Sequence, residues 1–319
     1  MIPAPRRMPL PESYDFGATV RPLAWGRHDP CTRIAEGGFW WATRAPSGLG
    51  TLFLRREGRE LVATGYGPGA EWVLDQADGV AGLRDDLTGF AEVARHHPLV
   101  AELARRHPGL RLTTTGRVFQ RLLRAVYEQK VTGQEAYKAY LGTVRHCFQA
   151  SGREPAPGPL EGLKPPPDPA VIAGMPYWMF HPFGVEQKRA DTLCRAAAAA
   201  PSLESAPDAA TATRRLTAIL GIGPWTAAEV TRTVYADPDA VSVGDYHIPH
   251  MVSWALAGEA RAGARESVAG GLSPADTRML ELLEPFRGHR GRVCTLLEFS
   301  GLSAPKFGPR MQIRSFAAY

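Results

Sequence analysis

All of the strand-like sequence in this chain lies near its start. Residues 17 to 66 hold the short apolar and aromatic runs GATVRPL, GFWWATRA, GTLFLRR and RELVATGY, with AWGRHDPCTRIAEG between the first two. Runs of this length, bounded by glycine, proline and charged residues, read as an antiparallel sheet. GAEWVLDQADGVAGL then turns helical, and from about residue 90 onward helical periodicity dominates. Strands gathered at one end and helices at the other predict an α+β protein, a sheet appended to a helical body.

Within that body, residues 216 to 245 read LTAILGIGPWTAAEVTRTVYADPDAVSVGD. Leu216, Ile219 and Leu220 fall at i, i+3, i+4 on an incoming helix, and Ala227, Val230 and Val234 mark an outgoing one. Gly221 and Gly223 allow backbone angles closed to other residues, and Pro224 suits the first position of the second helix. First-turn N–H groups there lack intrahelical partners and lie at the positive end of the helix dipole, so a phosphate can be bound by main chain alone. Taken alone, GIG between two helices is also a common way to turn a helical hairpin. Asp245 follows a short extended run, Ala240 to Gly244, and is a candidate catalytic acid. The apolar Ile248, Val252 and Leu256 beyond it, with Pro249, equally make it a helix cap.

Other signals organise the remainder. Thr132 with Glu135 forms a capping box for a helix striped by Tyr137, Tyr140, Leu141, Val144 and Phe148. Loops are expected at 151–169, 200–213 and 258–271, rich in proline, alanine, serine or glycine. The C-terminal SAPKFGPRMQIRSFAAY carries Lys306, Arg310 and Arg314, either a basic tail or a track for a nucleic-acid backbone.

Composition narrows the function classes. A chain of 319 residues with 44% hydrophobic and 22% charged residues has ordinary globular usage and room for two or three domains. No apolar run approaches a membrane-spanning length and the N-terminal MIPAPRRMPLPESYDF lacks a secretion signal, so a cytoplasmic protein with no membrane partner is expected. The excess of 37 Lys+Arg over 32 Asp+Glu, a net charge of +5, mildly favours a polyanionic partner. Cys31, Cys147, Cys194 and Cys294 form no C-x-x-C pair, so no zinc site, disulfide framework or iron–sulfur loop is expected. His247 and His250 beside Asp245 read as surface or capping residues before metal ligands.

The combination L-x-x-I-L-G-I-G-P-W-T-A-x-x-V followed by Asp245 resembles the helix-hairpin-helix DNA glycosylase superfamily. Three further segments are similar to it in the same order: RRHPGLRLTTTGRVFQRLLRAVYEQKVT (105 to 132), FGVEQKRADTL (183 to 193) and SPADTRMLELLEPFRGHRGRV (273 to 293). The branch resembled is the bacterial 3-methyladenine DNA glycosylase II type. It implies a TATA-binding-protein-like β domain over 1–92, a lobe of 93–118 with 238–305 carrying the catalytic aspartate, a lobe of 119–237 carrying the hairpin, and the tail 306–319.

The resemblance also implies roles. Asp245 would stabilise the cationic sugar as the glycosidic bond breaks, or activate the attacking water. Gly221, Ile222, Gly223, Trp225 and Thr226 would bind DNA, as would Gln129 and Lys130, the latter at the gap left by the flipped base. Trp225 stands where strand-cutting members place a lysine nucleophile, so hydrolysis without lyase activity is expected. Trp225 would line the base pocket or pack the hairpin.

Two positions depart from the pattern. Glu229 replaces a stacking tyrosine, and the later aromatic slot falls at Thr295. Glu229 then either attracts a cationic base, hydrogen-bonds a neutral one, or lies on a solvated face. Lys130 replaces an apolar wedge. No cofactor or metal centre is expected, although the carbonyls of Thr217, Ile219 and Gly221 offer a place for a monovalent ion. The expected activity is that of a nucleoid-associated monomer excising alkylated or otherwise modified purines from double-stranded DNA. The alternatives are a glycosylase for a deaminated or oxidised base and a non-catalytic DNA-binding module.

Overall fold

A computed structural model of the chain describes residues 3–260 and 271–305. Strands β1 (Arg6–Pro9), β2 (Thr32–Ala35), β3 (Gly38–Ala45), β4 (Gly48–Glu57) and β5 (Glu60–Tyr66) make one antiparallel sheet in the order β1-β5-β4-β3-β2. Three of the expected runs are β3, β4 and β5. The fourth, GATVRPL, is instead helical: α1 (Phe16–Val20) runs into a 3₁₀ turn at Arg21–Leu23. The Asp15 side chain accepts the N–H of Ala18 and caps this helix, which outweighs the β-branched Thr19 and Val20. Strands β1 and β2 fall in RRMP and TRIA, where charge hides any alternation.

The sheet is covered on both faces. In β3 and β4, Phe39 pairs with Leu54, Trp40 with Phe53 and Trp41 with Leu52. Side chains alternate across a strand, so Phe39, Trp41, Leu52 and Leu54 turn to one core. That core is closed by Val73 and Leu74 of α2 (Ala70–Asp75) and by Ala77 and Val80 of α3 (Ala77–Val80). On the opposite face the Trp40 and Phe53 rings stack with centroids 4.1 Å apart, beneath Ala156 and Leu163 of the proline-rich loop. The expected loop at 151–169 is therefore irregular in backbone but packed on the sheet.

Helices α4 (Phe90–Ala94) and α5 (Pro98–Arg106) lead into the largest core. This core is built by α6 (Val118–Tyr127), α7 (Gly133–Ala150), α8 (Pro169–Gly174), α9 (Gln187–Ala198), α10 (Ala200–Glu204), α11 (Ala209–Thr217) and α12 (Pro224–Val234). The segment expected as a loop at 200–213 is thus mostly helical, because Leu203 and Ala212 are buried in this core and Asp208 caps α11. The capping box at Thr132 and Glu135 opens α7. Buried Arg189 of α9 donates to the carbonyls of Tyr127 and Gly184, so the K-R-A segment pins the end of α6.

A separate core joins α4 and α5 to α13 (Ile248–Ala257), α14 (Pro274–Leu283) and α15 (Arg290–Phe299). Its members include Val100, Leu103, Val252, Met279, Leu283, Phe286 and Leu297. Residues 261–270 of the third expected loop, and the tail with Lys306, Arg310 and Arg314, lie outside the described residues. Among the described residues, no helix is long and apolar enough to cross a membrane. The chain is α+β, and the segment 237–247 that carries Asp245 runs between its two helical cores.

Candidate active site

The hairpin begins where α11 stops. Leu216 is fully buried, but α11 ends at Thr217 and Leu220 is 76% exposed, so the incoming apolar stripe does not extend through Leu220 as its spacing suggested. Arg195 Nε donates to the Leu220 carbonyl at 3.0 Å. Gly221 has φ of 98°, and a Cβ there would lie 2.2 Å from Thr192 Oγ1. Gly223 is different: its φ is −106°, and a Cβ would meet nothing within 4 Å. The expectation that both glycines are required by backbone angle holds for Gly221 alone.

The second helix starts at Pro224 with no side-chain cap. The N–H groups of Gly223, Trp225 and Thr226 have no acceptor among the described residues. Ile222 and the Thr226 side chain are buried, so whatever these residues offer a phosphate is main chain. Gln129 acts as an internal strut, its Nε2 donating to Gly221 O at 3.0 Å and Thr226 Oγ1 at 2.9 Å. Lys130, next to it, is exposed with φ of 54°, a left-handed conformation costing a non-glycine residue about 1 kcal/mol.

Protein donors already reach two of the carbonyls expected to hold a monovalent ion. Ile219 O accepts the N–H of Ile222 at 3.0 Å and Gly221 O accepts Gln129. Among the described residues, no group of three or more His, Cys, Asp or Glu stands ready to hold a metal.

Asp245 is half-buried and both of its oxygens are placed. Oδ2 accepts the indole N–H of Trp225 at 2.8 Å. Oδ1 accepts the N–H groups of His247 at 2.6 Å and Ile248 at 2.9 Å, which start α13. The carboxylate therefore caps a helix while the hairpin helix holds its other oxygen. Trp225 packs against the large core and reaches the aspartate as well, a link that spacing does not show.

The loop around Asp245 is fastened from three sides. Asp245 N–H donates to Ser242 O at 3.2 Å, and Ser242 Oγ donates to Glu229 Oε1 at 2.6 Å. Gly244 N–H donates to Asp276 Oδ1 at 2.8 Å; Asp276 is only 5% exposed and also caps α14 with Ser273. A Cβ on Gly291 would lie 2.3 Å from Ala240 O, so only glycine lets α15 approach the loop this closely. Asp276 and Gly291 are positioning residues that sequence reading missed. The one sign was their place in the segment 273 to 293.

Glu229 does not present a free charge. Its Oε2 pairs with Arg121 at 2.6 Å and its Oε1 with Arg232 at 2.5 Å, in addition to Ser242. Burial alone would raise its carboxyl, but Arg232, Arg121 and the Ser242 hydroxyl bring it down to about 2. With its side chain 12% exposed, neither a solvated face nor an open lure for a cationic base describes it. Thr295, at the later aromatic slot, donates its hydroxyl to Gly291 O at 3.0 Å.

Cys294 and Glu298 lie one turn apart on α15, Cys294 buried in its core and Glu298 exposed. Burial pushes the Cys294 thiol up to about 12, with Glu298 and Asp245 adding and Arg232 opposing. The Glu298 carboxyl is likewise raised, by crowding of protein atoms first and by Glu229 and Asp245, against the pull of Arg232.

Solved structures share this fold. The 3-methyladenine DNA glycosylase from Archaeoglobus fulgidus superposes with a TM-score of 0.71 at 18% identity, over 93% of this chain and 98% of that one. The apo 8-oxoguanine glycosylase/lyase of Clostridium acetobutylicum gives 0.65 at 13% identity over 94% and 98%. MBOgg1 in complex with a low-affinity DNA ligand gives 0.66 at 15% identity over 94% and 97%. The chain has the helix-hairpin-helix DNA glycosylase fold. The coverage shows that the appended sheet belongs to this likeness along with the helices. No protein-family model matches the sequence, and no curated protein matches it.

Proposed function

We propose that this chain is a DNA glycosylase that hydrolyses the N-glycosidic bond of a modified purine flipped out of duplex DNA. One observation carries the reading: the Asp245 carboxylate is fixed by the indole of Trp225 and by the first amides of α13, next to a hairpin whose free N–H groups suit a phosphate. In the proposed division of labour, residues 119–237 supply the grip, 93–118 with 238–305 supply the carboxylate, and the TATA-binding-protein-like sheet supports both.

The chemistry follows from the charges. Departure of the base leaves positive charge on the deoxyribose, and a fixed carboxylate in a partly dry cleft stabilises it far better than bulk water does. Extruding the base costs a few kcal/mol of lost stacking, offset by contacts to the backbone and by filling the gap. Exposed Lys130, which makes no hydrogen bond or ion pair among the described residues, fits that gap with its stem while its ammonium reaches a phosphate. The group bonded to Asp245 is an indole, with no amine to attack the sugar, so the product is an abasic site.

Release of free base from lesion-containing duplexes tests the reading, with Asp245→Asn as the inactive control. Strand breaks are expected only after alkali or heat, and a covalent adduct trapped by borohydride refutes the hydrolytic assignment. Duplex binding by both proteins with base release from neither supports a non-catalytic DNA-binding module instead. Alkylated purines lead among substrates by branch resemblance.

A further inference from the structure

We infer that Glu229 is a positioning residue of the active site: from the helix that carries Trp225 it fixes, through Ser242, the main chain that presents the Asp245 carboxylate to the sugar. The inference rests on the glycosylase reading above.

Trp225 and Glu229 stand one turn apart on the same face of α12. Both reach the loop of Asp245, but at different points. Trp225 holds the carboxylate at Oδ2, 2.8 Å away. Glu229 Oε1 accepts the hydroxyl of fully buried Ser242 at 2.6 Å, and the Ser242 carbonyl accepts the N–H of Asp245 at 3.2 Å. Between them lies Gly244, with φ of 90°, a position where the backbone bends easily. A hold on Oδ2 alone would let the main chain of Asp245 swing about this joint. The second hold, on Ser242, stops it.

Glu229 can serve as an anchor because it is itself fixed. Arg121 of α6 takes Oε2 at 2.6 Å and Arg232 of its own helix takes Oε1 at 2.5 Å, and all three side chains are largely buried. A buried ionic trio often stabilises a protein no better than apolar side chains of the same shape. What it supplies here is direction, since two guanidinium groups orient the carboxylate and leave Oε1 facing Ser242. The same α6 sends Gln129 to Gly221 O and Thr226 Oγ1. One helix therefore braces both the hairpin that grips the backbone and, by way of Glu229, the loop that bears the carboxylate.

This role has its own kinetic mark. Asp245 acts on the deoxyribose, which is the same under every base, so a displaced carboxylate slows all substrates by one factor. A residue that touched the base would slow some more than others. Displacement of a reacting group by about 1 Å costs on the order of 100-fold in rate.

Single-turnover release at saturating enzyme, for every modified purine that wild type excises, with 7-methylguanine and hypoxanthine among the duplexes tried, tests the inference in Ser242→Ala, Glu229→Gln and the double variant. Ser242→Ala keeps both ion pairs and removes only the link to the loop, so it decides the matter even if Glu229→Gln does not fold. It should slow all bases by a common factor of roughly 10- to 100-fold, with unchanged affinity for a duplex containing an abasic-site analogue. The double variant should be no slower than Glu229→Gln, because the two residues act in one chain of contacts. An unchanged rate in Ser242→Ala, slowing that differs between bases, a loss of duplex affinity that accounts for the loss of rate, or losses that multiply in the double variant each overturn the role of Glu229 and leave the glycosylase reading standing. Release of no modified purine by wild type overturns both.

Discussion

Trp225 Nε1 donates to Asp245 Oδ2 at 2.8 Å, and through this bond the hairpin helix α12 sets the direction of a carboxylate that belongs to the next loop. The residue that follows the glycine turn is thus tied to the candidate catalytic group rather than only to the hairpin core. Grip and chemistry share one side chain.

Trp225→Phe keeps the ring and removes the donor. A hydrogen bond to a charged group is worth about 1.5–3 kcal/mol, so full expression of that loss in the transition state slows base release roughly 10- to 100-fold. Affinity for an abasic duplex should change little. An unchanged single-turnover rate would show that the indole only packs.

Asp245→Asn should abolish base release to within the 10²- to 10⁴-fold range typical of lost charge or acid–base groups. Asparagine still caps α13, but its amide turns a donor toward the Trp225 N–H or surrenders the cap. The expected cost in thermal unfolding is about 1 kcal/mol, read by calorimetry beside unimpaired DNA binding.

The two hairpin glycines should separate folding from binding. Gly223→Val meets open space at an ordinary backbone angle, so it should fold normally and weaken binding to every duplex regardless of lesion. Gly221→Ala forces a left-handed alanine against Thr192, which should destabilise the protein by about 1–3 kcal/mol. A binding loss in Gly223→Val confined to one lesion would contradict the anchoring role.

Acid should act through Glu229. Its folded-state value of about 2 lies below the ordinary 4.5, so the ionised form stabilises the fold above pH 4.5 and that stability is lost as the pH falls toward 2. Glu229→Gln should be less stable at neutral pH and show a shallower loss across this window in denaturant titrations. Equal slopes for the two proteins would place the acid sensitivity elsewhere.

Sequence revealed the elements whose physics is local. β3 and β5 match their apolar runs, β4 its core, and α12 starts at Pro224 because glycine and proline enforce that start. It failed where long-range contacts decide. The charged β1 is a strand because β5 pairs with it, and residues 200–213 are helical because Leu203 and Ala212 find a core. Around Asp245, spacing singled out the aspartate and its tryptophan. It could not show that Glu229 would be enclosed by Arg121, from a helix about a hundred residues earlier.

The proline-rich segment lying over Trp40 and Phe53 makes the sheet dependent on chain made long after it. During synthesis those aromatic rings stay wet until Ala156 and Leu163 arrive, and a protein truncated after the first helices would carry a sticky patch of stacked rings. The sheet matures with the body and is not a module to be transplanted alone.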